Sequence, residues 1–317
     1  MKKDFVSISD LTMADVERIL DVATRLKNGE VPDRKLEGKT LALIFEKPSL
    51  RTRVTFEVGM TQLGGHAVYL SQSDIALGKR EAVSDIARNL ERWVDGISAR
   101  TFRHGTVVEL AANCSIPVIN ALSDQEHPCQ ALADFMTIRE KKGDLAGVRL
   151  AYLGDANNVC RSLIMLASLT GTSIVVGTPG AAFQPPAASE AGEGGEAAAF
   201  ANALRRVEFR TDQDPKEVVK GADIIYTDVW VSMGEEDKAE EKTKELRAYQ
   251  VNSEVIESAK KDVIFMHCLP AKRNQEVTDE VLDGPHSVVF DQAENRLHVQ
   301  KALLLLLLGG HVGSMER

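Results

Sequence analysis

The feature that most constrains this chain is an alternation of short β-rich runs with helical patterns along nearly its whole length. "TLALIFE" (40–46) precedes "RTRVTFEVGMTQL", where Phe56, Met60 and Leu63 recur at i, i+4 and i+7 and so form one apolar helical face. Gly64 and Gly65 stop that helix, and "HAVYL" is the next strand. The helix "AVSDIARNLERWV", the strand "GISART", the helix "TVVELAANC" and the strand "IPVINAL" follow, then a helical stretch over roughly 127–142. A second series begins at "VRLAYLGD" and runs through "VCRSLIMLASLTG", "TSIVVGTP", "AAAFANALRR", "VEFRT", "DPKEVVKGA", "DIIYTDVW" and "VIFMHCLP". Strand–helix alternation of this kind predicts an α/β chain of two domains, each a parallel β-sheet flanked by helices. The expected boundaries are 1–142 and 143–293, with a C-terminal helix in 294–317 returning to the first domain. A length of 317 residues suits two cores rather than one. The Ala/Gly/Pro/Glu-rich segment 180–199 is expected as surface loop and helix, and no repeat of solenoid length occurs.

A net charge of -9 argues against nucleic acid as the main partner, which would call for a basic surface. It also makes each local cluster of arginines informative, because such a cluster works against the global charge. Cys114, Cys129, Cys160 and Cys268 form no C-x-x-C pair, which fits free thiols in a reducing cytoplasm. "MKKDFVSISDLTMADV" has no apolar signal core, and the run Leu303 to Leu308 is too short to span a bilayer. No membrane association is expected.

Ligands of parallel α/β sheets bind beyond the carboxyl ends of the strands, so the residues after each strand are the candidates. After the first strand comes "KPSLRTR": Ser49 is placed as an N-cap, with Arg51 and Thr52 in the first turn. Backbone N–H groups, hydroxyl and guanidinium there converge as donors for a phosphate, although a capped helix with solvated arginines has the same pattern. Arg100 ends another strand, where a surface ion pair is the plainer reading. After "IPVINAL" comes "SDQEHPCQ", with Pro128 suited to a first helical turn and His127 and Gln130 on one face. In the second half, "YLGDANNV" places Asp155, Asn157 and Asn158 at a strand end, "YTDVWVSMGEE" places Asp228, Ser232 and Met233, and "FMHCLPAKR" places Cys268 and Leu269. Paired amides and a carboxylate suit an amino-acid zwitterion, and Asp228 could hold an ammonium group. The chain lacks a G-x-x-x-x-G-K-[ST] loop, a G-x-G-x-x-G turn and a Cys/His cluster of metal spacing, so neither nucleotide, dinucleotide cofactor nor metal is expected.

Taken together, "FEKPSLRTRVTFEVGMTQLGGHAVYL", "HPCQALADF", "DVWVSMGEE" and "MHCLPAKRNQEVTDEVLDGPHSVVFDQAENRLHVQKAL" resemble the aspartate/ornithine carbamoyltransferase family over about residues 3–308. S-x-R-T-R and H-P-C-Q mark the wider family, while D-x-W-x-S-M-G and H-C-L-P mark its ornithine branch. The resemblance implies transfer of a carbamoyl group from carbamoyl phosphate to L-ornithine, giving L-citrulline and phosphate in arginine metabolism. It implies that Ser49, Leu50, Arg51, Thr52, Arg100, His127, Gln130, Leu269 and Arg296 bind carbamoyl phosphate. Asn158, Asp228, Ser232, Met233 and Cys268 would bind ornithine, and Arg51, Arg100, His127, Asp228 and Cys268 would carry the chemistry. It further implies a homotrimer, or a multiple of trimers, with sites at subunit interfaces. The chain departs from the family pattern at "ALGKRE" (76–81), where Ala76 replaces a glutamine expected to reach a neighbouring subunit's site, and at Lys272 and Asn274. The last two leave putrescine or N-acetylornithine as alternative acceptors.

An alkyl ammonium of pKa near 10.4 must lose a proton before attack, which costs about 4–5 kcal/mol at neutral pH. Asp228 and Cys268 are expected to ease that step. Arg51, Thr52, Arg100 and His127 are expected to stabilise charge on the carbonyl oxygen and the departing phosphate, with no covalent intermediate. Closure of the halves over both substrates, with residues 232–234 as a lid, is expected to align amine and carbonyl.

Overall fold

The computed structural model describes residues 1–30, 34–179, 196–206, 208–211, 213–232 and 236–309. The chain divides into two compact units: Met1–Met136 together with the segment from Glu294 onward, and Thr137–Ala293. The division falls inside the helix Pro128–Lys142, six residues before the boundary expected from sequence.

The first unit holds a four-stranded parallel sheet of order β2-β1-β3-β4, built from β1 (Thr40–Phe45), β2 (His66–Ser71), β3 (Gly96–Arg100) and β4 (Val118–Leu122). The inner strands β1 and β3 bury nearly every residue, which explains the unbroken apolar run of β1, whereas edge strand β2 has no buried position and begins by alternating exposed and half-buried ones. Each fully buried Leu or Ile of β1, such as Leu41, Leu43 and Ile44, contributes about 1.5–3 kcal/mol. The helix Leu50–Gln62 packs on the terminal helix Val289–Leu308. A Cβ placed on Gly59 would lie 3.3 Å from Lys301 and 3.4 Å from Leu304, so the small residue permits the close approach. The Leu303–Leu308 run is the mostly buried end of that terminal helix.

The second unit holds a five-stranded parallel sheet of order β7-β6-β5-β8-β9, from β5 (Arg149–Leu153), β6 (Ser173–Thr178), β7 (Glu208–Thr211), β8 (Ile224–Thr227) and β9 (Ile264–His267). Tyr152 and Tyr226 stack at 5.8 Å in its centre. No described helix is long and apolar enough to cross a membrane.

Strand order reverses once in each sheet, between β1 and β3 and between β5 and β8. At such a switch point the loops leaving the two strands diverge to opposite faces and leave a crevice at their carboxyl ends. Ser49 follows β1, and Arg100 is the last residue of β3. The segments after β5 and β8 carry Asn157 and Asp228.

Helices at Met13–Lys27, Ala239–Leu246, Ser253–Glu257 and Asp279–Leu282 were not among the elements expected from sequence. The first is signalled by Thr12 and Asp15, which form a reciprocal capping box. The last two are of five residues or fewer, too short for a helical period to register.

Candidate functional sites

In the first unit, Ser49 caps the helix Leu50–Gln62, its Oγ accepting from Thr52 N–H at 3.3 Å. The two arginines of "RTR" then part. Arg53 bonds Glu57 at 2.9 Å and lies 3.6 Å over the Tyr69 ring, a structural use, while Arg51 is electrostatically coupled to His127. Arg100, at the end of β3, is buried rather than the surface ion pair that its position alone suggests. The loops after β1 and β3 are tied together: Glu46 N–H donates to Arg100 O at 2.9 Å, and Phe102 N–H donates to the Glu46 carboxylate at 2.8 Å.

Arg296, on the terminal helix, is buried and reaches both other elements, donating through Nη2 to Thr52 Oγ1 at 2.8 Å and through Nη1 to Gln130 Oε1 at 2.5 Å. Gln130 Nε2 in turn donates to Asp134 at 2.7 Å, which fixes the amide orientation. His127 is buried beside them, immediately before Pro128 opens the helix Pro128–Lys142. Burial, reinforced by the positive fields of Arg296, Arg100 and Arg51, holds its imidazole well below the usual histidine range. A neutral ring can donate to a carbonyl oxygen, and the field that keeps it neutral is one that an anion would satisfy. Ser49, Arg51, Thr52, Arg100, His127, Gln130 and Arg296 thus belong to one unit. Leu50 is 73% exposed, so only its backbone can serve there.

In the second unit, Asn157 caps the helix Asn158–Thr170, its Oδ1 accepting from Val159 N–H at 2.9 Å. Its Nδ2 donates to Asp228 Oδ2 at 2.8 Å. Cys268 Sγ donates to Asp228 Oδ1 at 3.0 Å. The carboxylate is therefore oriented through both oxygens while each keeps capacity for a further donor, the arrangement an ammonium group needs. An Asn before a helical run is an N-cap signal, but its grip on a residue 71 positions away is not legible locally. Asn158 opens the helix, half-buried, and Ser232 lies beyond Trp230 and Val231, which are buried against Leu246. Gly154, beside that indole, has a φ of +123°, which favours glycine. Asp155 accepts from Lys242 at 2.9 Å. Met233 and Gly234 lie outside the described residues.

Leu269 has φ +58°, unusual for a branched side chain, and its N–H donates to His267 Nδ1 at 2.8 Å. That bond makes Nδ1 the acceptor and leaves Nε2–H to face the buried Glu276 at 3.2 Å. Glu276 also accepts from Lys272 N–H at 2.5 Å, so the departure at 272 is held through its backbone. Asn274 has φ +61°, a conformation glycine and asparagine tolerate best. Ala76 also adopts a left-handed φ, +41°, and accepts from Lys79 and Arg80 N–H in a tight turn. Asp228, His267 and Cys268 place potential metal-ligand atoms within 4.8 Å of one another, a grouping that sequence spacing hides. In this arrangement both His267 nitrogens face protein partners and the thiol is bonded to Asp228.

Comparison with known proteins also divides the chain in two, near the helix Pro128–Lys142. Residues 3–140 match the aspartate/ornithine carbamoyltransferase carbamoyl-P binding domain, and residues 146–307 match the Asp/Orn binding domain. An ornithine carbamoyltransferase of Methanothermobacter thermautotrophicus is 51% identical, covering 97% of this chain and 99% of its own. An ornithine carbamoyltransferase of Pyrococcus furiosus designated anabolic is 49% identical, covering 97% of each. The solved structure of an ornithine carbamoyltransferase from Pyrococcus furiosus superposes with a TM-score of 0.89 at 49% identity, covering 97% of both chains.

Proposed function

The chain belongs to the aspartate/ornithine carbamoyltransferase family, and from that premise we infer that it transfers the carbamoyl group of carbamoyl phosphate to the side-chain amine of L-ornithine, giving L-citrulline and phosphate. The observation that carries the reading is the buried, neutral His127 set in the combined field of Arg51, Arg100 and Arg296. A dianionic phosphate with an adjoining carbonyl suits that environment: guanidinium groups, Thr52 and the first-turn N–H groups for the phosphate, and the imidazole for the carbonyl oxygen. Leu269 would add a backbone contact.

Asp228, held by Asn157 and Cys268, receives the ornithine ammonium, with Asn158, Ser232 and Met233 completing the amino-acid site. Once the ammonium has released one proton to solvent, the amine nitrogen bonds the carbonyl carbon. The carbon–oxygen bond to phosphate then breaks, and the amine's remaining excess proton leaves with phosphate. Donors aimed at the developing oxyanion and the leaving group lower the barrier. Cys268 orients Asp228 and is not a nucleophile, because the reaction needs no covalent intermediate.

The chain is further proposed to work in the cytoplasm, in arginine biosynthesis, as a homotrimer or a multiple of one. Four free cysteines suit a reducing compartment. Leu50, 73% exposed, Val54 one turn on and Val68 on edge strand β2 supply the apolar surface a second copy would cover. Citrulline formation measured side by side with ornithine, putrescine and N-acetylornithine tests the substrate. Ornithine is expected to be preferred by at least about tenfold in kcat/KM, since putrescine lacks the α-carboxylate and N-acetylornithine the α-ammonium, and a polar site group left unpaired costs more than about 1.4 kcal/mol. Preference for either alternative amine would replace ornithine in the reading.

A further inference from the structure

We infer that Glu126 is a positioning residue for His127, its buried carboxylate being clamped by Ser7 and Ile8 so that the backbone delivering the imidazole is fixed. The inference rests on the role proposed above for His127. Glu126 is fully buried, and an interior carboxylate persists only where donors converge on it. Two come from the N-terminal segment, 119 and 118 positions away: Ser7 Oγ donates to Oε1 at 2.6 Å and Ile8 N–H donates to Oε2 at 2.9 Å.

That segment is itself anchored. Phe5 N–H donates to Val118 O at 2.8 Å, while Asn120 N–H donates to Phe5 O and Asn120 Nδ2 to Val6 O, both at 2.8 Å. Asp10 closes a capping box over Ser7, so the donors presented to Glu126 are held on a rigid turn. The Glu126 backbone is pinned as well. Its carbonyl accepts from Ser123 N–H at 2.9 Å and its N–H donates to Ser123 Oγ at 3.2 Å. The same hydroxyl meets His104 Nδ1 at 2.8 Å, which ties the loop after β4 to the helix after β3. On the other side, His127 O accepts from Gln130 and Ala131 N–H, both at 3.1 Å. His127 therefore sits between an immobilised residue and the first turn of a helix. The carboxylate of Glu126 connects this position to the N-terminal turn through both of its oxygens.

Glu126→Gln keeps the shape but turns an amide toward one of two donors, and the Ile8 N–H cannot rotate away. The expected result is a loss of at least about tenfold in kcat/KM for carbamoyl phosphate, since small displacements of a reacting group reach such factors. In a His127→Ala background the same change should add less than about twofold, because a residue acting through His127 has nothing left to position. Ser7→Ala should show a smaller loss with the same non-additivity, and it serves as the deciding variant if circular dichroism shows Glu126→Gln unfolded. Native kcat/KM in the folded Glu126→Gln or, failing that, Ser7→Ala enzyme overturns the inference, as does a loss that multiplies independently with His127→Ala. A His127→Ala enzyme with native kcat/KM removes instead the reading on which the inference rests.

Discussion

The two switch-point regions use the same backbone device for opposite chemistry. After β1 and β3 the helix start is surrounded by guanidinium groups, and the titratable residue among them, His127, is kept neutral by burial and by their field. After β5 and β8 the helix start is occupied by Asn157, which turns its amide onto a carboxylate. The N-terminus of a helix favours negative charge in both cases. One unit leaves that preference for an incoming anion and the other meets it partly with Asp228. The comparison teaches that the fold supplies position, while the side chains gathered beyond the strand ends decide the sign of the ligand.

The strongest way to break this comparison is Arg51→Ala. If the first region is an anion site, the change should lower kcat/KM by about 10²–10³, the cost of removing one donor from a preorganised electrostatic site. Steady-state citrulline formation would measure it, and near-native turnover would take Arg51 out of the mechanism. Asp228→Asn probes the opposite sign. It keeps the bond from Asn157 available but removes the charge, and should weaken ornithine by about 10–150-fold, from the 1.5–3 kcal/mol of a hydrogen bond to a charged group. Calorimetric titration of ornithine and of phosphate into the variant separates the effects, because phosphate affinity should change far less.

How much of this could be read without coordinates differs between the regions. The cap at Ser49, the strand ends at Arg100 and Asp228, and the face shared by His127 and Gln130 follow from local periodicity and capping chemistry, so they are legible. The bonds that assemble them are not. Arg296 meets Gln130 across 166 positions and Thr52 across 244, and Glu126 meets Ser7 across 119. No periodic signal spans such distances; the terminal helix brings Arg296 to Gln130 and Thr52, and the N-terminal segment anchored on β4 brings Ser7 to Glu126. Family resemblance supplied Arg296, whereas nothing in the pattern singled out Glu126. Burial is illegible for the same reason: Arg100 reads as a surface cation until its neighbours are known.

The smallest expected effect sharpens the comparison through pH. A histidine whose folded pKa lies below its unfolded value of 6.5 binds fewer protons in the native state than in the unfolded one as pH falls. The resulting stability is fully present above about pH 6.5 and is lost as pH descends toward the depressed folded value, with a limiting slope of about 1.36 kcal/mol per pH unit. His298 is lowered mainly by burial and titrates in the same direction, so wild type must be compared with a His127→Asn variant rather than read alone. Denaturant midpoints from pH 8 to pH 5 should fall more steeply in wild type than in the variant. Saturating phosphate should reduce the difference, because an anion among Arg51, Arg100 and Arg296 offsets the field that disfavours the imidazolium. Asp228→Asn should leave the difference intact, since the thiol and amide around that carboxylate belong to the other region. Parallel pH profiles for wild type and His127→Asn would mean that the imidazole is not held neutral, and the contrast between an anion-seeking and a cation-seeking helix start would lose its electrostatic basis.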